Sequence, residues 1–310
     1  MYHYKLIPFI ILLLCNFGKM MHQTINKHVI EECKNNKIFT DIFNKNMCNK
    51  FIENAAEPDE RKKKDGNERN KHFFHINAYK TLIFNKYYSK QNLIDEIISS
   101  NIYYIGKHKK TINNIEDANK YIKKNGYLPW SVLETIENIK KLLSERKNII
   151  NNNNKLEEND NKILYECINL AHYITDMCTP LHININYDGK YKNQKGIHRM
   201  WETLIPKLYI NKYDIKYIKN YEFSNIEDQL FIELNNSYQL SEKILDQEIE
   251  LSKIYQDQYN NVKMKNRFKN NKYARLCAKY YNKDINNQIN KAITLISYIF
   301  NNIIFSTDFL

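Results

Sequence analysis

The sequence predicts an all-α protein. Apolar residues recur at three-to-four spacing along most of the chain, strand-like alternation is rare, and glycine and proline are scarce, 6 and 5 among 310 residues. The chain is long enough to bury a substantial core.

The elements follow in order. Lys5 precedes an apolar run of 10 residues, LIPFIILLLC. That run is too short to span a bilayer and has the length of a signal-peptide core. Residues 1–16 are therefore expected to be a signal peptide, removed near Asn16–Phe17, and the chain to enter the secretory pathway as a secreted or lumenal protein. Residues 17–310 are expected to form a single domain, since no repeat and no boundary interrupts them. A helix is predicted over 22–33, with Ile25, Val29 and Ile30 on its apolar side. The stretch 57–71, EPDERKKKDGNERNK, reads as a charged loop, and HFFHI at 72–76 as a buried aromatic run. Helices are expected near 90–100 and 113–124. Another follows Pro129-Trp130 through Val132, Leu133, Ile136, Ile139 and Leu143. The low-complexity stretch NIINNNNKLEENDN at 148–161 reads as a surface loop. A helix from Ile163 to about Met177 ends or bends at Pro180. A loop with Gly189 and Gly196 leads to a helix beginning near Ile197. A long helix carries Leu240, Ile244, Leu251 and Tyr255, and a last one runs from about Ala274 through Ile296.

The formal net charge is +12. Such a field suits a phosphate-bearing substrate or an anionic membrane surface, and heavy use of lysine throughout the chain produces the same number. Loss of residues 1–16 leaves Cys33, Cys48, Cys167, Cys178 and Cys277, an odd number without a CxxC motif, so disulfides are allowed but not specified. Asn235-Asn236-Ser237 is a possible glycosylation sequon.

The chemistry concentrates in one segment. His172, Asp176, His182, His198 and Glu202 place five zinc-type ligands within 31 residues of a chain with nine histidines. Positions i and i+4 share a helix face, so His172 with Asp176, and His198 with Glu202, each can address one ion. The proline bend returns His182 toward the second pair. A lone His-x-x-x-Asp pair is most often a hydrogen bond, but both pairs here lie in apolar helices. There an unneutralised carboxylate costs about several kcal/mol. Zinc usually takes four ligands, so five imply two or more ions. Upstream, His22, His28, Asp59, His72, His75 and His108 are further candidates that spacing alone does not rank.

The pattern His172-x3-Asp176-x5-His182-x15-His198-x3-Glu202, with Thr179-Pro180-Leu181-His182, resembles that of the S1/P1 nuclease and zinc-dependent phospholipase C superfamily. GYLPW at 126–130, PDERK at 58–62 and WE at 201–202 extend the resemblance over most of residues 17–300. It implies a multi-helix phospholipase C/P1 nuclease-like fold holding three Zn2+ ions in a cleft. By that resemblance Asp59, His72, His172 and Asp176 hold one ion. Asp176 bridges to a second, also held by His22 and the mature N-terminal residue, Phe17, through backbone atoms. His182, His198 and Glu202 hold the third. Phe17 stands where the family normally has tryptophan, and His75 is a rival to His72.

The resemblance implies hydrolysis of a phosphoric ester, with Asp59 orienting or deprotonating the attacking water. A nuclease cleaving single-stranded DNA or RNA would stack a base on an aromatic pocket and draw phosphate to the basic surface. A phospholipase C acting on glycerophospholipid is the alternative, which Glu202 favours, because nuclease members usually place aspartate there. A zinc-stabilised scaffold without turnover is the third reading. No stable protein partner is expected.

Overall fold

The computed structural model describes residues 17–79, 88–100, 103–105, 108–149, 151–219, 221, 223, 225–259 and 264–306. The expected signal peptide lies outside them. The architecture is all-α, apart from one antiparallel hairpin, β1 (Tyr103–Ile105) and β2 (His108–Lys110), with Tyr104 opposite Lys109. The helices run α1 (Phe17–Cys33), α2 (Lys37–Ile42), α3 (Lys45–Glu53), α4 (Glu57–Arg61), α5 (Gly66–Arg69) and α6 (Lys90–Ser99), then, past the hairpin, α7 (Ile115–Asn125), α8 (Leu128–Ile149), α9 (Asn153–Met177), α10 (Ile197–Arg199), α11 (Ile205–Tyr209), α12 (Ile226–Gln258) and α13 (Asn271–Ile299).

One apolar cluster runs from Met21 to Phe305. The last helix, α13, is its axis. It buries Tyr273, Ala274, Tyr281, Ile285, Ile289, Ala292 and Ile296, and packs on α1, α9, α11 and α12. In α8 the periodic positions Val132, Ile136, Ile139 and Leu143 are buried, while Leu133 is only partly buried against the core. Side-chain caps mark the starts. Ser89 accepts from Asn92 N, Asn114 from Asp117 N and Asn270 from Lys272 N.

Two expected loops are helical instead. The stretch 148–161 is the end of α8, a tight turn and the first two turns of α9. Asparagine is a poor helix former but a good cap. Asn152 caps α9 at Lys155 N, and Arg146 reaches across to Asp160 at 2.6 and 3.3 Å, stapling α8 to α9. Packing between these two long helices overrides the composition. The stretch 57–71 contains α4, with Pro58 in its first turn, and α5, capped by Asp65. Its charges are paired rather than loose: Arg61 reaches Glu68 at 3.1 Å and Asn169 at 2.6 Å. The first helix begins at Phe17, five residues before the expected 22. The sequon lies in the middle of α12, where the Ser237 hydroxyl donates to the Met177 carbonyl at 2.8 Å. The five described cysteines are free, four of them buried. Among the described residues no helix is long and apolar enough to cross a membrane.

Candidate metal centre

Four elements bring the site together. Helix α9 presents His172 and Asp176 on its buried face. Helix α1 packs against α9 and α13 and supplies His22. Helix α4 supplies Asp59. Residues 72–75 form an extended strap that alternates inward and outward: His72 and Phe74 are buried, while Phe73 and His75 are partly exposed. Backbone hydrogen bonds fasten the strap on both sides, Phe74 N to His182 O at 3.2 Å and His75 N to Asn125 O at 2.8 Å. Gly126 is required there. Its φ is +98°, and a Cβ would lie 1.9 Å from the Phe73 carbonyl oxygen. The expected buried run at 72–76 is thus buried on one edge only.

Three His/Asp/Glu clusters able to chelate metal ions result: His22, His172 and Asp176; Asp59, His72 and His172; His182, His198 and Glu202. His172 Nε2 lies 3.3 Å from Asp176 Oδ2, 3.4 Å from Asp59 Oδ1 and 3.2 Å from His72 Nδ1. His72 Nδ1 is 2.8 Å from the same Asp176 oxygen. The other Asp176 oxygen faces His22 Nε2 at 4.0 Å and His182 Nδ1 at 3.4 Å. Asp176 therefore stands between clusters. His182 Nε2 meets His198 Nε2 at 3.0 Å, and Glu202 Oε2 lies 2.7 Å from His198. The last pair sits on an irregular helix: α10 has three residues, and Met200–Leu204, which holds Glu202, is a π turn. Such turns are frequent at functional sites.

The donor chemistry fits cations. His172 Nδ1–H donates outward to the Ala55 carbonyl at 2.9 Å, and His182 Nδ1–H to the His72 carbonyl at 2.8 Å. His72 Nε2 faces Glu68 Oε1 at 3.5 Å without a hydrogen bond to it. The His172 and His182 rings then turn their lone pairs inward, toward carboxylates and other ring nitrogens. Acceptors facing acceptors need a positive charge between them. Imidazoles anchored to a carbonyl or carboxylate through the far nitrogen are how proteins orient metal ligands.

Without a metal, protons and Lys62 supply that charge. Burial pushes His172 down, but the carboxylates of Asp176 and Asp59 outweigh it and raise it to about 10. Burial would raise Asp59, Asp176 and Glu202, and the histidines beside them hold all three below the usual carboxylate range. His22, stacked on His172 at 4.1 Å between ring centroids, is lowered to about 4 by burial and by its charged neighbour. Lys62 pairs with Asp59 Oδ1.

A cavity of about 540 Å³ opens on His72, His182 and His198. Its walls carry Lys62, Arg69 and Lys124, and three rings. Phe73 and His75 stack at 4.6 Å, and His75 and Tyr187 at 6.2 Å. His75 is thus in the cavity wall, outside the three clusters, where burial lowers it to about 4. His28 is half-buried farther along α1, also outside the clusters, and His108 falls on β2. Phe17 opens α1, next to Gly18, whose Cβ would lie 3.5 Å from Glu202 Oε1.

Sequence reasoning missed Glu68. It is 6 % exposed and receives the Tyr173 hydroxyl at 2.7 Å besides facing His72. The signal was present: Glu68-x3-His72 is the His-x3-carboxylate spacing read backwards. The clustered groups are able to coordinate several metal ions, an arrangement consistent with a metal-dependent hydrolytic enzyme. No protein-family model, no curated protein and no solved structure matches this chain.

Proposed function

We propose that the chain is a secreted zinc-dependent phosphodiester hydrolase of the single-strand nuclease type, holding three Zn2+ ions. The cavity carries the reading. Cations and stacked rings line one hollow beside the metal clusters, and a single-stranded nucleic acid offers that pairing of charge and flat surface. Lys62, Arg69 and Lys124 would hold phosphates, and Phe73 and Tyr187 would stack a base.

Asp59, His72, His172 and Asp176 would hold one ion. Asp176, His22 and the amino-terminal atoms of Phe17 would hold the second, and His182, His198 and Glu202 the third. Bound zinc would make water a nucleophile near neutral pH and polarise a phosphoryl oxygen. Asp59, more exposed than Asp176 and Glu202, would orient the attacking water or accept its proton. The Phe17 role requires removal of residues 1–16. A chain with cleavage blocked is expected to fold and to hydrolyse weakly; full activity removes Phe17 from the ligand set.

A second reading, a zinc phospholipase C, rests on Glu202. The deciding experiment assays the purified mature chain on single-stranded DNA, RNA, 3′-nucleotides and phosphatidylcholine vesicles, with zinc quantified. Turnover of the lipid alone overturns the nuclease reading. Phe73→Ala tests it from within. It is expected to weaken single-stranded DNA binding by about 1–3 kcal/mol, the worth of one stacked base, with zinc content unchanged.

A further inference from the structure

The loop before His198 runs repeatedly through left-handed backbone. Between Asn186 and Ile197 three residues have positive φ: Gly189 at 67°, Asn193 at 57° and Gly196 at 109°. Asn193 is the one non-glycine with positive φ among the described residues. Glycine takes this conformation freely, whereas at Asn193 it carries a modest cost that its surroundings have to meet. The same loop starts at Tyr187, a cavity wall, and ends two residues before His198, a metal-cluster ligand.

What holds it comes from the far end of the chain. Arg267 is 8 % exposed and Glu248 is fully buried. Arg267 Nε and Nη2 reach the two Glu248 oxygens at 2.7 and 3.2 Å, and the Tyr273 hydroxyl closes on the same carboxylate. Nη2 also donates to the Asn193 carbonyl at 3.0 Å, while Nη1 donates to Met264 O at 3.0 Å. The guanidinium lies over the Phe268 ring, 4.3 Å from its centroid. Gly196 rests on Phe268, where a Cβ would approach the Phe268 Cβ to 2.9 Å. Asp188 Oδ1 accepts from Gly196 N at 2.9 Å, and Gln194 Nε2 donates to Leu245 O. Arg267 thus grips the loop at Asn193, and its neighbour Phe268 seats it at Gly196.

We propose that Arg267, fixed by Glu248, is a positioning residue for the open part of the metal centre: it holds the left-handed backbone at Asn193 and thereby aims His198 at its ion and Tyr187 into the cavity. This rests on the metal reading above. A planar fork bonded to a carboxylate and two carbonyls at once sets direction as well as distance, which a lysine cannot reproduce.

The test compares zinc stoichiometry, measured by mass spectrometry across a buffered zinc series, in wild type, Arg267→Met, Arg267→Lys and His198→Ala. Far-ultraviolet circular dichroism follows the fold. Arg267→Met is expected to match His198→Ala in holding one ion fewer than wild type at moderate zinc, with helicity kept. The affinity for that ion should fall about ten- to a hundredfold, the usual loss when a ligand's support is removed. Arg267→Lys should lie between. Because Arg267→Met leaves Glu248 buried without its partner, the double variant Arg267→Met/Glu248→Gln removes both charges together and should show the same loss of one ion. Wild-type affinity for every ion in the variants overturns the proposal, and so does parallel loss of all ions with melting, the mark of a merely structural role. A wild-type chain that takes up no zinc overturns the metal reading itself.

Discussion

The His172–Asp176 and His198–Glu202 pairs share one spacing and differ in nearly everything around them. The first lies on α9, a regular helix of 25 residues, and both side chains are 2 % exposed or less. The second spans a three-residue helix and a π turn, with side chains 25 % and 15 % exposed. Long-range packing of α1, α4 and α9 builds the buried half. A loop with three left-handed residues, gripped at Asn193 by Arg267 and seated at Gly196 on Phe268, builds the open half. Close packing makes a site rigid but closes it to substrate. The half that faces the cavity has to find its rigidity elsewhere.

The largest expected difference between the halves comes from their carboxylates. Asp176→Ala should abolish hydrolysis and lower zinc content by more than one ion, because its two oxygens face separate clusters. Glu202→Ala should remove one ion only. Asp176→Ala also leaves His172 buried without the carboxylate one turn away, a loss of about 3–5 kcal/mol for a broken buried pair, visible as a fall in Tm of the metal-free chain. Equal zinc loss in the two variants would break the comparison, since Asp176 would then serve one ion.

A smaller effect sharpens it. Glu68→Gln keeps the shape behind His72 but removes the negative charge that faces Nε2. Zinc affinity of the buried half should fall about ten- to a hundredfold, while the ion at His182, His198 and Glu202 stays. Calorimetric titration with zinc distinguishes the two classes of site. Loss confined to the open half would move Glu68 out of the role assigned to it.

The two halves were also unequally legible. Both His-x3-carboxylate pairs are local patterns, so the sequence alone exposes them, and Pro180 announces the bend that returns His182. What the sequence hid is whatever depends on distant chain. Glu68 carries the right spacing to His72, but it sits in a run of charges that reads as solvated until Arg61, Tyr173 and His72 are seen around it. Arg267 and Asn193 are 74 residues apart, and no periodicity links them. The asparagine-rich stretch misled for a related reason. Its composition argues against a helix, yet Asn152 caps α9 and Arg146 staples the turn, and packing against α8 decides the outcome. The π turn at Met200–Leu204 leaves no mark in the hydrophobic pattern either.

The smallest expected effect concerns a proton. In the metal-free chain, burial lowers His172, and Asp176 and Asp59 more than compensate, raising it to about 10. A raised histidine stabilises the fold fully below the unfolded value of about 6.5, and that contribution is lost as pH climbs through about 10. Zinc needs the lone pair that this proton occupies, so ion uptake by the buried half at neutral pH must expel it. His22 is lowered to about 4 and has no proton to give there. Calorimetry in buffers of different ionisation enthalpy should therefore report about one proton released from His172 on zinc binding, with affinity rising as pH increases from about 6.5 toward 10. Asp59→Asn removes one of the two carboxylates that hold the proton, and should reduce both the release and its pH dependence. Glu202→Ala, which removes a candidate ligand of the open half, should leave the His172 proton in place, and release lost in Glu202→Ala would mean that the two halves titrate as one.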